Sequence, residues 1–487
     1  MTREAPIRVA LVGTGLAGLT TAYLLQNDQQ RRYAVTLFEQ AESLSFDSAS
    51  VAIRDERSGH VERVDLPMRA LAGGYYANVM RMYDHLGIPY HPIRFLFSFA
   101  KASSSPPANP QGQGAPGRAP GEYFVHASNL HQIPPWPGSR GVLAHLFWFT
   151  VACFLVRPHG ERAGGGGETL DAYVGRIWLP RRYVTHYLLP LMSSVSTCSH
   201  DEMLAFPASD VVNYKRLTHG QQHYTVCGGV HQVEGRLAAG MRDVRLGARV
   251  AEVAPTSDGT VRIRWQSTTS SGLEPLQEDV FDRVILAVSP DIAGKIFSPL
   301  QTTLGSIPTT RVESSVLRPA NSTPSQQPLT LVEDESSHPK ACSLHRGSAI
   351  PQQVICLRTD FAAAAAAVAG EVRTEALHTM PGGTVVSTCP LDPQAEAKRV
   401  LRTARFTRTL RTTESRAAIR RIMGETGRGS DKKTDPVRDA GDFWVNGQDN
   451  VWLTGAWCWD GMVLLEGCLV SAMRIANDFG VEVPWTR

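Results

Sequence analysis

A regular succession of apolar segments opens the chain. Residues 7–12 (IRVALV) are mostly apolar and lead into a glycine, which is typical of a central parallel strand buried on both faces. Residues 16–26 (LAGLTTAYLLQ) follow with a helical pattern, and residues 34–39 (AVTLFE) form a second strand pattern. The order strand, helix, strand predicts a β-α-β unit at the start of the chain.

Similar patterns return much later, after long segments that are mostly helical or rich in loops. They comprise strand patterns at residues 245–255, 260–265 and 282–290, a last strand at 450–456 and a helix at 464–480. Because these pieces are far apart along the chain, we expect one α/β domain to be assembled from separated segments, with a second region inserted between them.

The predicted fold class is therefore α/β, and α+β overall. We expect a Rossmann-type nucleotide-binding domain to comprise residues 1–90, 225–290 and 440–487. The inserted residues 91–224 and 291–439 should form a substrate-binding region.

Two segments stand out by composition. Residues 102–121 are rich in Pro, Gly and Ser and predict a flexible surface loop. Residues 142–156 (VLAHLFWFTVACFLV) are the most apolar run, but they are shorter than the roughly 20 residues that span a bilayer. We expect no membrane span here, but a helix that is buried or belongs to the substrate region. The alternative is a surface patch that contacts a membrane and admits a lipidic substrate.

Composition excludes several classes of function. The length of 487 residues suggests two or three domains, and a formal net charge of +3 gives no electrostatic case for nucleic-acid binding. The eight cysteines show no C-x-x-C and no paired Cys/His spacing, so we expect no metal site and no disulfide framework. A reducing compartment fits, and since residues 1–6 (MTREAP) contain no secretory signal, we expect a cytoplasmic protein.

Three glycines connect the first strand to the first helix in the pattern G-x-G-x-x-G. Gly13 would permit the tight turn, Gly15 the approach of a pyrophosphate, and Gly18 close packing of helix on strand. The helix N-terminus would add free N–H groups and a positive dipole end. Glu39 ends the second strand, where a carboxylate accepts hydrogen bonds from ribose hydroxyls. This context predicts a dinucleotide site.

The same acid bears on which dinucleotide is bound. Glu39 argues against a 2′-phosphate, which would require an arginine instead. NAD and FAD remain, and the motif alone does not separate them.

Several further blocks, in their order along the chain, resemble the superfamily of flavin-containing amine oxidases and phytoene desaturases. Within it the chain is most similar to FAD/NAD(P)-binding oxidoreductases of bacterial and fungal type. The blocks are residues 64–90 (VDLPMRALAGGYYANVMRMYDHLGIPY), 169–176, 183–212, 224–240, 244–253, 281–290 and 450–476 (NVWLTGAWCWDGMVLLEGCLVSAMRIA).

The resemblance implies FAD as the cofactor, bound by a GR2-like domain of the glutathione-reductase family with an inserted substrate domain. It also implies a glycine turn beside the cofactor at Gly455, a helix entry beside the flavin ring at residues 462–465, and an adenine contact at Val250. The positions that match the family's cofactor contacts are Gly13, Gly15, Leu16, Ala17, Gly18, Glu39, Gln40, Met68, Arg69, Val250, Gly455, Met462, Val463, Leu464 and Leu465.

The chain also departs from the family. Residues 40–51 (QAESLSFDSASV) lack the R-x-G-G stretch that wraps the phosphates, and Ala456 replaces an acid in the last block. Leu464 and Gly461 occupy the places of the two aromatic rings that flank the flavin in monoamine oxidases. The missing aromatic pair weakens the case for an amine substrate and favours an apolar one.

No catalytic residue can be named from the sequence. Four histidines are candidates for a base: His126, His131, His223 and His231. The pair Cys198 and His200 is better explained by a helix cap than by a metal site. A further series recurs every three residues and is expected to lie on a solvated surface: Arg399, Arg402, Arg405, Arg408 and Arg411.

We therefore expect an FAD-dependent oxidoreductase that removes a hydride from a small, apolar or secondary-metabolite substrate and is reoxidised by O2. One alternative is a flavin-dependent desaturase or isomerase of a lipid or terpenoid. A second alternative is a non-catalytic flavin-binding protein.

Overall fold

The computed structural model describes all of the chain except sixteen stretches and single positions. These are residues 1–4, 47–48, 58, 60, 103–120, 128–138, 161–166, 270–271, 274, 320–328, 333–351, 363–370, 381, 395–396, 426–442 and 487. The predicted loop at 102–121 therefore lies almost wholly outside the described residues.

The described strands are labelled in chain order. They are β1 (Ile7–Val12), β2 (Tyr33–Phe38), β3 (Val51–Asp55), β4 (Val61–Val64), β5 (Ala70–Ala72), β6 (Tyr90–Lys101), β7 (Glu122–Ala127), β8 (His223–Val226), β9 (Asp243–Arg245), β10 (Ala248–Pro255), β11 (Val261–Thr269), β12 (Gly272–Leu273), β13 (Gln277–Phe281), β14 (Arg283–Leu286), β15 (Thr309–Leu317), β16 (Leu329–Val332), β17 (Gln352–Thr359), β18 (Thr374–Thr379), β19 (Val385–Thr388), β20 (Val400–Thr409) and β21 (Val451–Leu453).

The α-helices are labelled in the same way. They are α1 (Leu16–Gln26), α2 (Ala77–Leu86), α3 (Ser139–Leu155), α4 (Leu170–Arg176), α5 (Arg181–Tyr183), α6 (Leu189–Ser196), α7 (His200–Leu204), α8 (Ala208–Thr218), α9 (His231–Ala238), α10 (Pro290–Ile296), α11 (Gln301–Gly305), α12 (Thr413–Ile422) and α13 (Leu465–Asp478). A π-helical turn at Val184–Leu188 joins α5 to α6.

A parallel sheet gathers strands from both ends of the chain. Its order is β21-β14-β1-β2-β9, and each neighbouring pair runs parallel. The central strand β1 pairs with β2 from Ile7 opposite Tyr33 to Val12 opposite Phe38. Its last four residues are buried, as the apolar pattern predicts. This sheet has the Rossmann-like character expected from the sequence.

A second, larger sheet is mixed. Its order is β20-β15-β19-β18-β17-β6-β8-β5, with β7 paired to β6. Among the described strand pairs of this sheet, β6–β17 is parallel and the others are antiparallel. Strands β10, β11, β12 and β13 form a separate antiparallel sheet, and β16, β3 and β4 a small three-stranded one. The observed class is mixed α/β, in agreement with the prediction.

Two apolar cores lie on the parallel sheet. One joins β1 to α1, α2 and α13 and continues into the mixed sheet and the helices α3 to α8. The other lies between the parallel sheet, the β10–β13 sheet and α10. Because all strands of the parallel sheet point the same way, their carboxyl ends form one edge, which is where ligands bind in open α/β sheets.

Candidate active site

The three glycines of the first turn make different contacts. Gly13 has a φ of +100°, which favours glycine, and its N–H donates to the carbonyl of Phe38 at 2.8 Å. A side chain at Gly18 would overlap the carbonyl oxygen of Gly13. Gly15, the N-cap of α1, is the exception: a Cβ there meets no heavy atom within 4 Å. Two of the glycines serve packing, and the third faces open space at a helix N-terminus.

Glu39 is tied to this turn by its side chain. The residue is 5% exposed, and its Oε2 accepts hydrogen bonds from the backbone N–H of Thr14 at 3.1 Å and from the Thr14 hydroxyl at 2.6 Å. Its Oε1 accepts from the N–H of Ala41 at 3.0 Å. The side chain of the neighbouring Gln40 is exposed. The carboxylate thus lies beside the glycine turn at the carboxyl edge of the sheet.

Strand β10 returns to the same edge. The N–H of Ala248 donates to the carbonyl of Glu39 at 2.8 Å, and Val250 is buried in the core between the two sheets. Val250 also precedes an irregularity in the pairing of β10 with β11. The structure therefore brings Val250 close to the segment that carries Glu39.

The turn after β21 and helix α13 lie next to the start of α1. The N–H of Gly455 donates to the hydroxyl of Ser471 at 3.0 Å, which connects the turn after β21 to α13. The Cys468 thiol of α13 lies beside the backbone N–H groups of both Ala17 and Ala456; burial is the main cause that raises its pKa, to about 11. A neutral thiol therefore connects the start of α1 with the turn after β21.

The residues predicted to enter α13 beside the flavin ring divide into two pairs. Met462 and Val463 are buried in the two cores, and the Met462 carbonyl accepts a hydrogen bond from the indole of Trp459 at 3.0 Å. Leu464 and Leu465 line a cavity together with Met68 and Arg69, among other residues.

Glu466 has a structural role in this arrangement. Its carboxylate accepts hydrogen bonds from the N–H and the side-chain amide of Asn78, at 3.0 and 2.6 Å, and from the N–H of Val79 at 3.2 Å. These N–H groups belong to the first turn of α2, which has no cap from its own neighbours. The acid of α13 therefore caps a helix from the other end of the chain.

A buried arginine supports the loop between β21 and α13. Arg411 is fully buried, and its Nη2 donates to the carbonyls of Trp457, Trp459 and Gly461 at 3.3, 2.8 and 3.1 Å. Its Nε lies 3.9 Å from the buried Asp210, whose own burial raises its pKa. The expectation that this arginine lies on a solvated surface is wrong.

The rest of the arginine series explains the error. Arg402 and Arg405 are exposed, whereas Arg408 lines the cavity. All three belong to strand β20, so the exposure of each depends on what packs against that part of the strand and not on the three-residue spacing. Burial lowers the pKa of Arg408, and its ionisable neighbours include Tyr76, Arg69, Cys198 and Cys468.

The cavity has a volume of about 330 Å³, within the usual range for small-molecule sites. Its walls are mainly aliphatic and aromatic and come from α3, the π-helical turn, α6, α8, the mixed sheet, the segment before α2 and the entry to α13. Its polar side chains are tyrosine, serine and threonine hydroxyls and seven nitrogen bases: Arg69, His126, Lys215, His219, His223, His378 and Arg408. None of the described residues that line it is acidic.

The candidate histidines are only partly brought together. His126 and His223 line the cavity, and burial lowers the pKa of each to about 4. His231 begins α9 and is not among the cavity residues. His131 lies outside the described residues. Between Cys198 and His200, Ser199 caps α7 and forms a capping box with Glu202. This stretch is therefore a helix start, as expected.

Sequence reasoning did not identify Lys215, although its position was informative. It follows Val211 by one helical turn, and both residues line the cavity. A lysine in the buried stripe of a helix is unusual and could have marked it as a candidate.

The apolar segment at 142–156 forms α3, and its two sides differ. Phe149, Ala152 and Cys153 are buried, whereas Phe147 is 71% and Leu155 76% exposed. No helix within the described parts of the chain is long and apolar enough to cross a bilayer.

Two family models match separate parts of the chain. The model of an NAD(P)-binding Rossmann-like domain matches residues 11–86, and the model of flavin-containing amine oxidoreductases matches residues 193–322. No curated protein matches the sequence.

Solved structures share the fold over nearly the whole length. A CLA-producing fatty acid isomerase from P. acnes is 12% identical, with a TM-score of 0.55, over 98% of this chain and 99% of that chain. Cyclohexylamine oxidase from Brevibacterium oxydans IH-35A is also 12% identical, with a TM-score of 0.54, over 98% of this chain and 100% of that chain. At this identity the likeness concerns the fold alone. The two family matches, over residues 11–86 and 193–322, agree with the resemblance to flavin-containing amine oxidoreductases expected from the sequence.

Proposed function

We propose that this chain is an FAD-dependent oxidoreductase that removes a hydride from an apolar small molecule bound in the cavity. One observation carries the proposal. Met68 and Arg69, from the first part of the chain, and Leu464 and Leu465, from the last part, line the same largely apolar cavity.

The residues present fit FAD. Gly15 leaves open space at the N-terminus of α1, where the N–H groups of Leu16 and its neighbours favour a pyrophosphate. Glu39 offers a fixed carboxylate to a ribose, and Val250 lies near it for the adenine. When bound, FAD supplies the hydride acceptor, and O2 would reoxidise it.

Arg69 offers a replacement for the missing R-x-G-G arginine. Its Nη2 donates to the carbonyl of Phe46 at 3.3 Å and its guanidinium lies 4.9 Å from the ring centre of Phe46, but its Nε is buried without a hydrogen-bond partner. A buried donor without a partner is costly, so an acceptor on the cofactor would satisfy it.

The cavity walls support an apolar substrate rather than an amine. Leu464 stands at one of the family's aromatic positions, and Gly461 at the other is packed against the indole of Trp459. The chain's part in the reaction is to orient an apolar substrate and to exclude water from it. We assign no catalytic acid or base.

The experiment that tests FAD binding is a pair of matched substitutions. Gly15→Ser places a side chain in the open space while supplying a preferred N-cap, so the fold should keep its melting temperature. Gly235→Ser is the control, because Gly235 in α9 also has no neighbour within 4 Å.

We expect the wild type and Gly235→Ser to be purified with the visible absorption band of a flavin, and Gly15→Ser to have lost most of it. Wild-type protein that neither carries flavin nor takes up added FAD would overturn the proposal. Full retention of flavin by Gly15→Ser would overturn the assigned position of the pyrophosphate.

The apolar cavity also favours a second reaction, desaturation or isomerisation of a lipid or terpenoid. Anaerobic substrate bleaches the flavin and the product is two hydrogens lighter if the chain is an oxidase or desaturase. An unchanged product mass identifies an isomerase.

A peripheral membrane contact is a further part of the proposal. Around α3 an exposed apolar patch is formed by Phe147, Trp148, Phe154, Leu155 and Trp178. The indole of Trp148 donates to the carbonyl of Ile177, which places Trp178 beside α3. The patch borders the cavity, because the rings of Phe154 and His219 lie 5.7 Å apart.

A further inference from the structure

The charges inside the cavity have one sign. Among the described lining residues, the cationic side chains Arg69, Lys215 and Arg408 have no acidic counterpart. None of the three forms an ion pair with a described carboxylate, and Lys215 makes no described hydrogen bond. Uncompensated cations in a largely apolar enclosure are unfavourable unless a ligand supplies the anion.

The three cations divide into two groups. Arg69 is next to Met68 in the sequence, and the charges of Arg69 and Arg408 both act to lower the pKa of the Cys468 thiol. These two arginines therefore lie on the side of the cavity that is proposed to face the cofactor. Lys215 is different: it is half-buried on α8, near the Cys153 thiol of α3, and its pKa is lowered by burial. Lys215 is therefore the cation that remains for a substrate.

Two histidines accompany Lys215. Lys215 and His219 are four residues apart at the end of α8, and both line the cavity together with His126. The charge of Lys215 also contributes to lowering the pKa of His126 and of His219. His126 is 8% exposed, and the Nδ1 atoms of His126 and His219 are buried without a hydrogen-bond partner. The cluster therefore combines a cation with unsatisfied imidazole nitrogens, one of which belongs to a side chain more than nine-tenths buried.

We infer that Lys215, with His126 and His219, binds the carboxylate of an amphiphilic substrate whose apolar chain fills the rest of the cavity. The inference rests on the proposed function, because it names the class of substrate for that cavity. A carboxylate accepts hydrogen bonds from an ammonium group and from imidazole N–H groups, and such charge-assisted bonds are strong in a low-dielectric site. An ammonium group at the same place would be repelled.

The cluster of Lys215, His126 and His219 lies where the carboxylate of a bound substrate would be near the opening of the cavity. Gly220, next to His219, is the exposed part of the lining, whereas Leu464 is buried. A head group at Lys215 would lie near the opening beside α3. The apolar chain would extend inward, so the reaction would concern a bond of the chain rather than the carboxylate.

The test compares three ligands of equal chain length: dodecanoate, dodecanol and dodecylamine, each below its micelle concentration. Binding to the purified protein is measured by calorimetry and by intrinsic tryptophan fluorescence, with flavin absorption recorded on the same samples. We expect dodecanoate to bind at least about tenfold more tightly than dodecanol, because hydrogen bonds to charged groups contribute about 1.5–3 kcal/mol. Dodecylamine should bind more weakly than both.

Variants assign the effect to Lys215. Lys215→Met should weaken dodecanoate binding about tenfold and leave dodecanol binding unchanged, while Lys215→Arg should keep the preference for the carboxylate. Lys398→Met is the control, because Lys398 is exposed and is not among the cavity residues.

The inference is overturned if dodecylamine binds at least as tightly as dodecanoate, or if Lys215→Met keeps the full preference. The wild-type ligand series decides the matter even if Lys215→Met does not fold. Flavin present without a preference for the carboxylate refutes this inference alone; absence of flavin refutes the proposed function and leaves the ligand series to be judged separately.

Discussion

The glycine turn and the cavity differ in the groups that form them. The turn consists of backbone groups and small residues packed so closely that a single Cβ at Gly18 would overlap a carbonyl. The cavity consists of side chains, several with buried nitrogen atoms that lack partners. Close packing therefore determines the conformation of the turn, whereas buried polar nitrogen atoms determine which ligands the cavity favours.

The largest effect should come from the residue that supports the loop near both regions. Arg411→Met removes three hydrogen bonds to that loop and leaves the buried Asp210 with less compensation, so we expect a loss of about 4 kcal/mol of unfolding free energy. Chemical denaturation measures this. Arg402→Met, an exposed member of the same series, should change stability by less than about 0.5 kcal/mol. Equal stability of the two variants would contradict the supporting role of Arg411.

The cavity should be the acid-sensitive region. Burial lowers the pKa of His378 to about 4 in the folded protein, below the usual value of 6.5, so between these values the unfolded chain binds more protons. Its contribution to stability is complete above pH 6.5 and is lost as the pH falls toward 4.

His378→Gln should therefore reduce the acid loss of stability by about 3 kcal/mol between pH 6.5 and pH 4, measured by denaturation at a series of pH values. The exposed His159 supplies the control His159→Gln, which should keep the wild-type slope. An unchanged slope in His378→Gln would show that this histidine does not titrate as proposed.

The glycine turn should respond to shape instead of pH. Gly18→Ala forces the turn to shift and should cost about 2 kcal/mol, with the same loss at pH 6 and pH 8. Gly15→Ser should keep the stability and lose the flavin. If Gly18→Ala is as stable as the wild type, the turn is less rigid than its packing indicates.

The smallest effect should come from the apolar patch outside the cavity. Trp178 is 88% exposed, so Trp178→Ser should change stability by no more than about 0.5 kcal/mol. It should nevertheless reduce co-sedimentation with phospholipid vesicles. Unchanged sedimentation would remove the support for a membrane contact.

The two regions also differ in how far the sequence reveals them. The β1–α1 unit and the Rossmann-like sheet could be predicted, because Gly13, Gly15, Gly18 and Glu39 mark a local backbone shape in a short stretch. Lys215 and Arg408 could not be selected in the same way. They reach one cavity from a helix and a strand that are far apart along the chain. The helical spacing from Val211 marks Lys215 as unusual, but only tertiary packing shows that Lys215 and Arg408 share a cavity.

Some predictions stay predictions. The division into residues 1–90, 225–290 and 440–487 against 91–224 and 291–439 is one of them, and the cytoplasmic compartment is another. Roles of individual residues in binding FAD also await the experiments above. The correction at Arg408 and Arg411 has a simple origin: the series begins in a 3₁₀ turn at Arg399, runs along β20 and continues past its end, so the three-residue spacing does not describe a single surface.

The carboxylate of Glu466 that caps α2 has a consequence for how the protein matures. Glu466 and Asn78 are 388 positions apart, and the edge strand β21 also comes from the last part of the chain. Contacts between residues so far apart in sequence form slowly, because bringing the two segments together costs much chain entropy. During synthesis the glycine turn is therefore made early but remains incomplete until α13 emerges. Cofactor loading would then be a step that follows translation, and a chain stalled before residue 450 would lack both the cap and the wall of the cavity.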